Sequence, residues 1–209
     1  MRFNRSRLGL ALSIVLAAVA SQAARAQADV ALSLFGTFTG TTNYNLDLEH
    51  QKSANAAGGI FEFRETSNPL TGYEATYSFN RAHQVYSYTG TTPAGSEPGI
   101  HPDGVSANAH EITGGWIFSV QTGKLKPFAL VDGGLMLAKP VSGQSQTRNS
   151  SEAVFVYGAG LDWRLVSHFG LRIQCRGNVY KAPSISTAYG SNNGFMHTAE
   201  PMVGAYVKF

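Results

Sequence analysis

Three histidines stand near groups they could do chemistry with: His83, His110 beside Glu111 in "AHE", and His197, with several serines close by. A histidine paired with a serine is the material of acyl transfer, which needs the base within hydrogen-bond reach of its nucleophile. Spacing commits no serine to that role, and a histidine satisfied by a polar neighbour at an interface is the simpler reading. The glycines of "YGAG" (157–160) and "DGG" (132–134) lack the strand-turn-helix setting of a phosphate loop and fit close packing between strands. No CxxC or HExxH pattern is present, and Cys175, the only cysteine, has no intramolecular disulfide partner. Asp47, Glu49, Glu97 and Asp103 lie in polar segments and offer oxygen ligands for a divalent ion or, more simply, solvated charge. We therefore expect no catalytic, cofactor-binding or metal-binding residue.

The more regular chemistry is a set of charges at alternate positions of apolar segments. In "LRIQCRGNVYK", Leu171, Ile173, Cys175, Gly177 and Val179 share one face of a strand, and Arg172, Gln174, Arg176, Asn178 and Tyr180 share the other. In "EAVFVYGAGLDWRL", Ala153, Phe155, Tyr157, Ala159, Leu161, Trp163 and Leu165 oppose Gly158, Gly160, Asp162 and Arg164. The polar faces of all such segments carry Glu62, Glu74, Glu111, Asp132, Asp162 and Glu200 against Arg64, Arg164, Arg172, Arg176 and Lys208. Groups of both signs in near balance, enclosed together, must pair or meet a large desolvation cost. They predict a closed polar core, whereas a wide selective pore would show single-sign rings.

The elements that position these charges have a period of two, with no convincing helical window. Eight strands are expected near 29–39, 54–65, 73–82, 106–119, 126–138, 152–165, 169–181 and 196–209. The connections 66–72, 120–126 and 165–168 are short, whereas 40–53, 83–105, 139–151 and 182–195 are long, polar and expected to be exposed. Strict alternation of long and short connections is the mark of an all-β, eight-stranded antiparallel up-and-down transmembrane barrel. A β-sandwich has no reason to sort its loops by length. Strands of about ten residues suit a tilted crossing of a bilayer. Tyr73, Tyr77, Phe79, Trp116, Phe118, Tyr157, Trp163, Phe195 and Phe209 sit where aromatic girdles belong, so the apolar faces should meet lipid and the charges the interior. Leu171 and Ile173 should then point outward, and Arg172 and Arg176 inward. Pro201, which lacks a ladder donor, predicts a bulge or a later start to the last strand.

Residues 1–26 read as an export signal, with Arg2, Arg5 and Arg7 before the apolar run Leu8–Ala20 and Ala24-Arg25-Ala26 at the cleavage site. Residues 27–209 then form a single domain. Of the 16 basic residues the signal removes four, leaving twelve against 13 acidic ones, so the formal charge of +3 becomes −1. Nothing in that balance favours a nucleic-acid partner.

The chain stops on Phe209, in phase with Val203, Ala205 and Val207. In a closed barrel the last strand must zip against the first, because lipid tolerates no unpaired edge. Here the sequence resembles the small outer-membrane β-barrels of the OmpA/OmpX type (the outer membrane protein beta-barrel domain family), whose final strand carries an aromatic assembly signal. Gly204, Val207 and Phe209 occupy its glycine, hydrophobic and terminal aromatic positions, while Met202 stands where a polar residue is usual. The resemblance implies an integral barrel of the bacterial outer membrane, monomeric, with outer-membrane lipid, lipopolysaccharide and the barrel-insertion machinery as partners. It implies no particular activity. A structural or surface-interaction role is expected. Some barrels of this size modify lipid A through a His–Ser pair near the outer rim, which keeps a lipid A-modifying enzyme as one alternative and a small-solute channel as another.

Overall fold

A computed structural model describes residues 27–44, 49–66, 68–88, 103–144, 147–187 and 194–209; the export signal read over residues 1–26 lies outside them. The described elements are all strands: β1 (Gln27–Thr39), β2 (Thr41–Tyr44), β3 (Glu49–Ser53), β4 (Ala56–Thr66), β5 (Thr71–Tyr88), β6 (Asp103–Ser119), β7 (Leu125–Pro140), β8 (Ser150–Arg164), β9 (Phe169–Lys181) and β10 (Phe195–Lys208). Eight of them, β1 and β4 to β10, pair antiparallel in chain order, and β10 returns to β1, so these eight close into a ring.

Alternation decides which side of this wall each residue takes. Leu32, Leu34 and Phe38 of β1 are exposed on the outer face while Ala31, Ser33, Phe35 and Thr37 are buried. The same holds on β9, where Ile173 is 58% exposed and Arg172 between its neighbours is 0%. Leu171 shares the outer face with Ile173, and Arg176 is enclosed with Arg172.

Hydrogen-bonded partners followed once around the wall run Asp29, Arg64, Glu74, Gly115, Asp132, Val156, Asn178, Thr198 and back to β1 at Thr39, ten residues beyond the start. That stagger over eight strands requires a strand tilt of about 40°, taking a rise of about 3.3 Å per residue and a spacing of about 4.8 Å between strands. A barrel this narrow has its interior filled by side chains.

One end of the barrel carries only tight connections. Asn68 Oδ1 accepts from the backbone N–H groups of Leu70 (3.0 Å) and Thr71 (2.9 Å), closing the turn between β4 and β5. Gly123, at φ 61°, supplies the left-handed residue in the turn between β6 and β7. Gln27 and Phe209 both lie here, and the Phe209 N–H donates to the Ala28 carbonyl at 2.9 Å.

The other end departs from expectation in three ways, the first being that β5 continues to Tyr88, six residues past its expected end at residue 82. The segment 40–53, expected as a loop, contains β2 and β3, and β3 pairs with the outer part of β5. Thr41, Thr42, Asn43, His50, Gln51 and Lys52 give no apolar alternation, yet a ladder of backbone bonds needs none. The connection after β9, expected to be exposed, instead turns inward: Ala182 and Ile185 are fully buried, and Ile185 packs with Val105, Ala107 and Ala138. Arg148 fixes it, donating from its backbone N–H to the Ile185 carbonyl (2.9 Å) and from Nε to that of Ser184 (2.8 Å).

Pro201 produces neither a bulge nor a late start. β10 is continuous through it, and the register to β1 is the same on both sides: Phe35 faces Met202 and Phe38 faces Ala199. Pairing with β1 lapses only opposite Gly36 and Thr37, so the missing N–H costs a local gap in one ladder while pairing with β9 continues through Cys175.

Candidate functional site in the charged interior

From the short-turn end upward, the first enclosed layer is built on two arginines. Arg172 donates from Nε to Asp162 Oδ1 (2.7 Å) and from Nη2 to Asp29 Oδ1 (2.9 Å), and its Nη1 lies 3.7 Å from Glu62 Oε2. Arg64 donates to Glu74 Oε2 (2.7 Å), Glu62 Oε1 (3.2 Å) and Gln174 Oε1 (2.8 Å). Gln174 in turn donates to Glu62 Oε1 (2.6 Å), and Ser33 donates to Glu62 Oε2 (3.1 Å). Both guanidiniums lie over the Phe128 ring, Arg64 Cζ 4.2 Å and Arg172 Cζ 5.8 Å from its centroid. Arg172 grips both oxygens of Asp162, Nη2 also donating to Oδ2 (3.0 Å), and Arg64 spreads its donors over three side chains; with the cation–π contacts these fix both planes in a way lysine would not reproduce.

The second layer centres on Arg176. Its Nη2 donates to Thr113 Oγ1 (3.1 Å) and Asp132 Oδ2 (3.4 Å) and lies 4.0 Å from Glu111 Oε1, while Nη1 donates to Thr76 Oγ1 (3.4 Å). Asn178 Nδ2 donates to Glu111 Oε2 (3.3 Å). Glu200 stands opposite Arg176 in the ladder and lines, with Glu111, Asn178, Thr198 and Tyr180, a cavity of about 40 Å³ beneath the inward-turned connection. That is room for a few ordered waters.

Nine of the eleven charged residues marked in the sequence are thus enclosed; Arg164 and Lys208 are not. Both lie half-buried at the short-turn mouth, and Arg164 donates to the Gly123 carbonyl (3.2 Å) instead of a carboxylate. The reason is positional: they end β8 and β10, beyond the last enclosed layer. Asp29 and Lys126 were missed. Asp29 stands two residues before Ala31 and Lys126 two before Phe128, so the inward alternation, carried one step further toward the mouth, reaches both. The enclosed interior is consequently acidic: seven buried carboxylates (Asp29, Glu62, Glu74, Glu111, Asp132, Asp162, Glu200) meet three buried guanidiniums (Arg64, Arg172, Arg176).

No protein-family model matches the chain, and no curated protein matches its sequence. Solved structures do match in shape. OprG from Pseudomonas aeruginosa superposes with a TM-score of 0.57 at 13% identity over 88% of this chain and 97% of its own. Ail of Yersinia pestis, in complex with the heparin analogue sucrose octasulfate, gives 0.54 at 16% over 88% and 99%. Neisserial surface protein A gives 0.53 at 14% over 87% and 97%. The fold is that of the small eight-stranded outer-membrane β-barrels.

On the outer wall of this barrel His83, His110 and His197 are each engaged. His110 Nδ1 is 2.8 Å from Tyr77 OH and its ring 5.1 Å from that of Phe79, while Glu111 points inward, so the "AHE" pair is split across the wall. Tyr157 lies over Gly177, where a side chain would collide with it, and reaches His197 Nε2 at 2.7 Å, the rings stacked at 7°. His83 Nδ1 is 3.0 Å from Ser106 Oγ, and among the described residues no carboxylate hydrogen-bonds His83 to orient it. Cys175 is exposed on the same wall. Asp47 and Glu97 lie outside the described residues, while Glu49 begins β3 and Asp103 begins β6.

The last strand places Val207 (48% exposed) and Phe209 (67%) outward. Gly204 faces inward against Ser33, where a β-carbon would meet Ser33 Oγ and the Leu32 carbonyl. Met202 also faces inward, and Gln174 Nε2 donates to its Sδ at 3.0 Å, so the thioether stands in for the polar group usual at that position.

Proposed function

We propose that this chain is an integral outer-membrane β-barrel, exported on residues 1–26, which serves envelope structure or surface interaction through its outward connections. The observation that carries the reading is the inverted polarity of the wall. Leu34 is 70% exposed, Leu32 66%, Ile112 60% and Ile173 58%, while Glu62 and Arg172 are 0%. In water this arrangement forfeits the burial of large side chains, worth about 1.5–3 kcal/mol each, and desolvates charges besides. In a bilayer the outward apolar side chains meet lipid, and enclosing the charges is favoured over exposing them to it. The interior side chains act as glue between opposite walls, and Phe128, Arg64 and Arg172 fill the cross-section, which supports a closed barrel over a conducting one.

Gly204, Val207 and Phe209 serve in this reading as the assembly signal for the insertion machinery, and the partners are outer-membrane lipid and lipopolysaccharide, with the barrel monomeric. Wild type and a variant lacking Phe209 test it on a heat-modifiability gel of the outer-membrane fraction. Unboiled wild-type protein should migrate apart from boiled protein, and loss of Phe209 should lower the amount assembled. Recovery of wild type as a soluble periplasmic protein would overturn the assignment.

A further inference from the structure

The cations at the short-turn mouth have no part in the enclosed networks. Lys126, Arg164 and Lys208 line one open cavity of about 410 Å³ together with Gln27, Thr66, Asn68, Pro69 and Gln121. A second, smaller cavity of about 20 Å³ brings Lys124 beside the same three cations, with Asp29 and Asp162 also in its lining. Among the described residues none of these four cations lies within 4.0 Å of a carboxylate. The acids nearest to hand, Asp29 and Asp162, are both held by Arg172. Lys126 Nζ donates only to Thr66 Oγ1 (3.1 Å) and Arg164 Nη2 to the Gly123 carbonyl (3.2 Å). A concave site rimmed by unpaired cations and amide side chains concentrates field lines on an anion.

We propose that this mouth is a binding site for a polyvalent phosphate-bearing anion, reached from the periplasm because outer-membrane barrels turn their short connections to that side, an orientation that rests on the function proposed above. Three of the four cations are lysines, compact point charges that suit a multiply charged, rotationally undemanding oxyanion. A planar carboxylate would favour a free guanidinium fork, and the fork present is partly committed to Gly123. Asn68, Gln27 and Gln121 supply neutral donors around the same space. The inference rests on the orientation for the source of the ligand, and on the closed barrel alone for the site.

Pyrophosphate is the probe. Full-length mature protein, refolded in zwitterionic detergent and checked for its unboiled gel position, is titrated calorimetrically at low salt. Saturable one-to-one binding is expected, weakened at least tenfold by K126Q/K208Q and weakened progressively by added salt. K139Q/K181Q, which removes two lysines near the opposite end, should leave it unchanged. If K126Q/K208Q fails the gel check, K124Q/R164Q takes its place. Nanodiscs separate two sources of phosphate: binding that survives the addition of phosphatidylglycerol to phosphatidylcholine assigns a soluble periplasmic anion, and binding it competes away assigns a lipid headgroup. A folded wild type with no saturable binding, or equal weakening by both lysine pairs, would overturn the proposal. Loss of the gel shift itself would instead indict the barrel.

Discussion

Arg172 contacts three carboxylates, Asp29, Glu62 and Asp162, from three different strands, and is fully buried. Its removal strands those charges where water cannot reach them, which is why breaking a buried pair costs far more than forming it gains. Arg172→Ala should therefore lower unfolding stability by about 3–5 kcal/mol, read from the urea midpoint of reversible unfolding in detergent micelles. Arg164 has one described side-chain bond, to the Gly123 carbonyl, and stands half in solvent. Arg164→Ala should cost under about 1 kcal/mol in the same measurement. Equal effects would mean that the division between enclosed layers and mouth is wrong. The two residues look alike in sequence, each an arginine in an inward phase; what separates them is the distance to a strand end, which alternation alone does not express.

Along a whole strand the phase is the strongest signal, and β9 shows why. Strictly alternating arginine, glutamine and asparagine against leucine, isoleucine and valine leave one workable register, since a slip by one residue would put Arg172 and Arg176 into lipid. Where both faces are polar, as in β2 and β3, no such penalty marks the strand, and the element became visible only through its ladder to β5. Ile185 was similarly illegible, because its partners Val105, Ala107 and Ala138 come from two other strands. The wall assignment has a native reporter in Cys175, exposed among the lipid-facing residues of β9. In reconstituted vesicles a membrane-partitioning maleimide should label Cys175, and a membrane-impermeant one should not. The reverse pattern would place that face in water.

At the scale of the molecule, charge is sorted along the barrel axis. Four cations ring the short-turn mouth, seven carboxylates and three guanidiniums fill the enclosed layers, and a small polar cavity lies under the inward-turned connection. A balance of six acids and five bases, counted from alternation, leaves out Asp29, Lys124 and Lys126 and carries no depth, and depth comes from the ten-residue stagger between strands. That stagger is a property of pairings between segments far apart in the chain, so it lay beyond any local reading.

The hydrogen bond from the Phe209 N–H to the Ala28 carbonyl makes the eight strands a ring with a nick in it. For the closed ladder, the place of that nick is arbitrary. A circular permutant that links Phe209 to Gln27 and opens between Val166 and Ser167 keeps every described partner. It should refold in detergent with the same unboiled gel position as the parent. In cells, however, Phe209 would no longer end the chain, and if the terminal aromatic is what the insertion machinery reads, little permutant should reach the outer membrane. Refolding and delivery would then be written in separable parts of one sequence, the first in a cyclic order of strands and the second in where that order is cut.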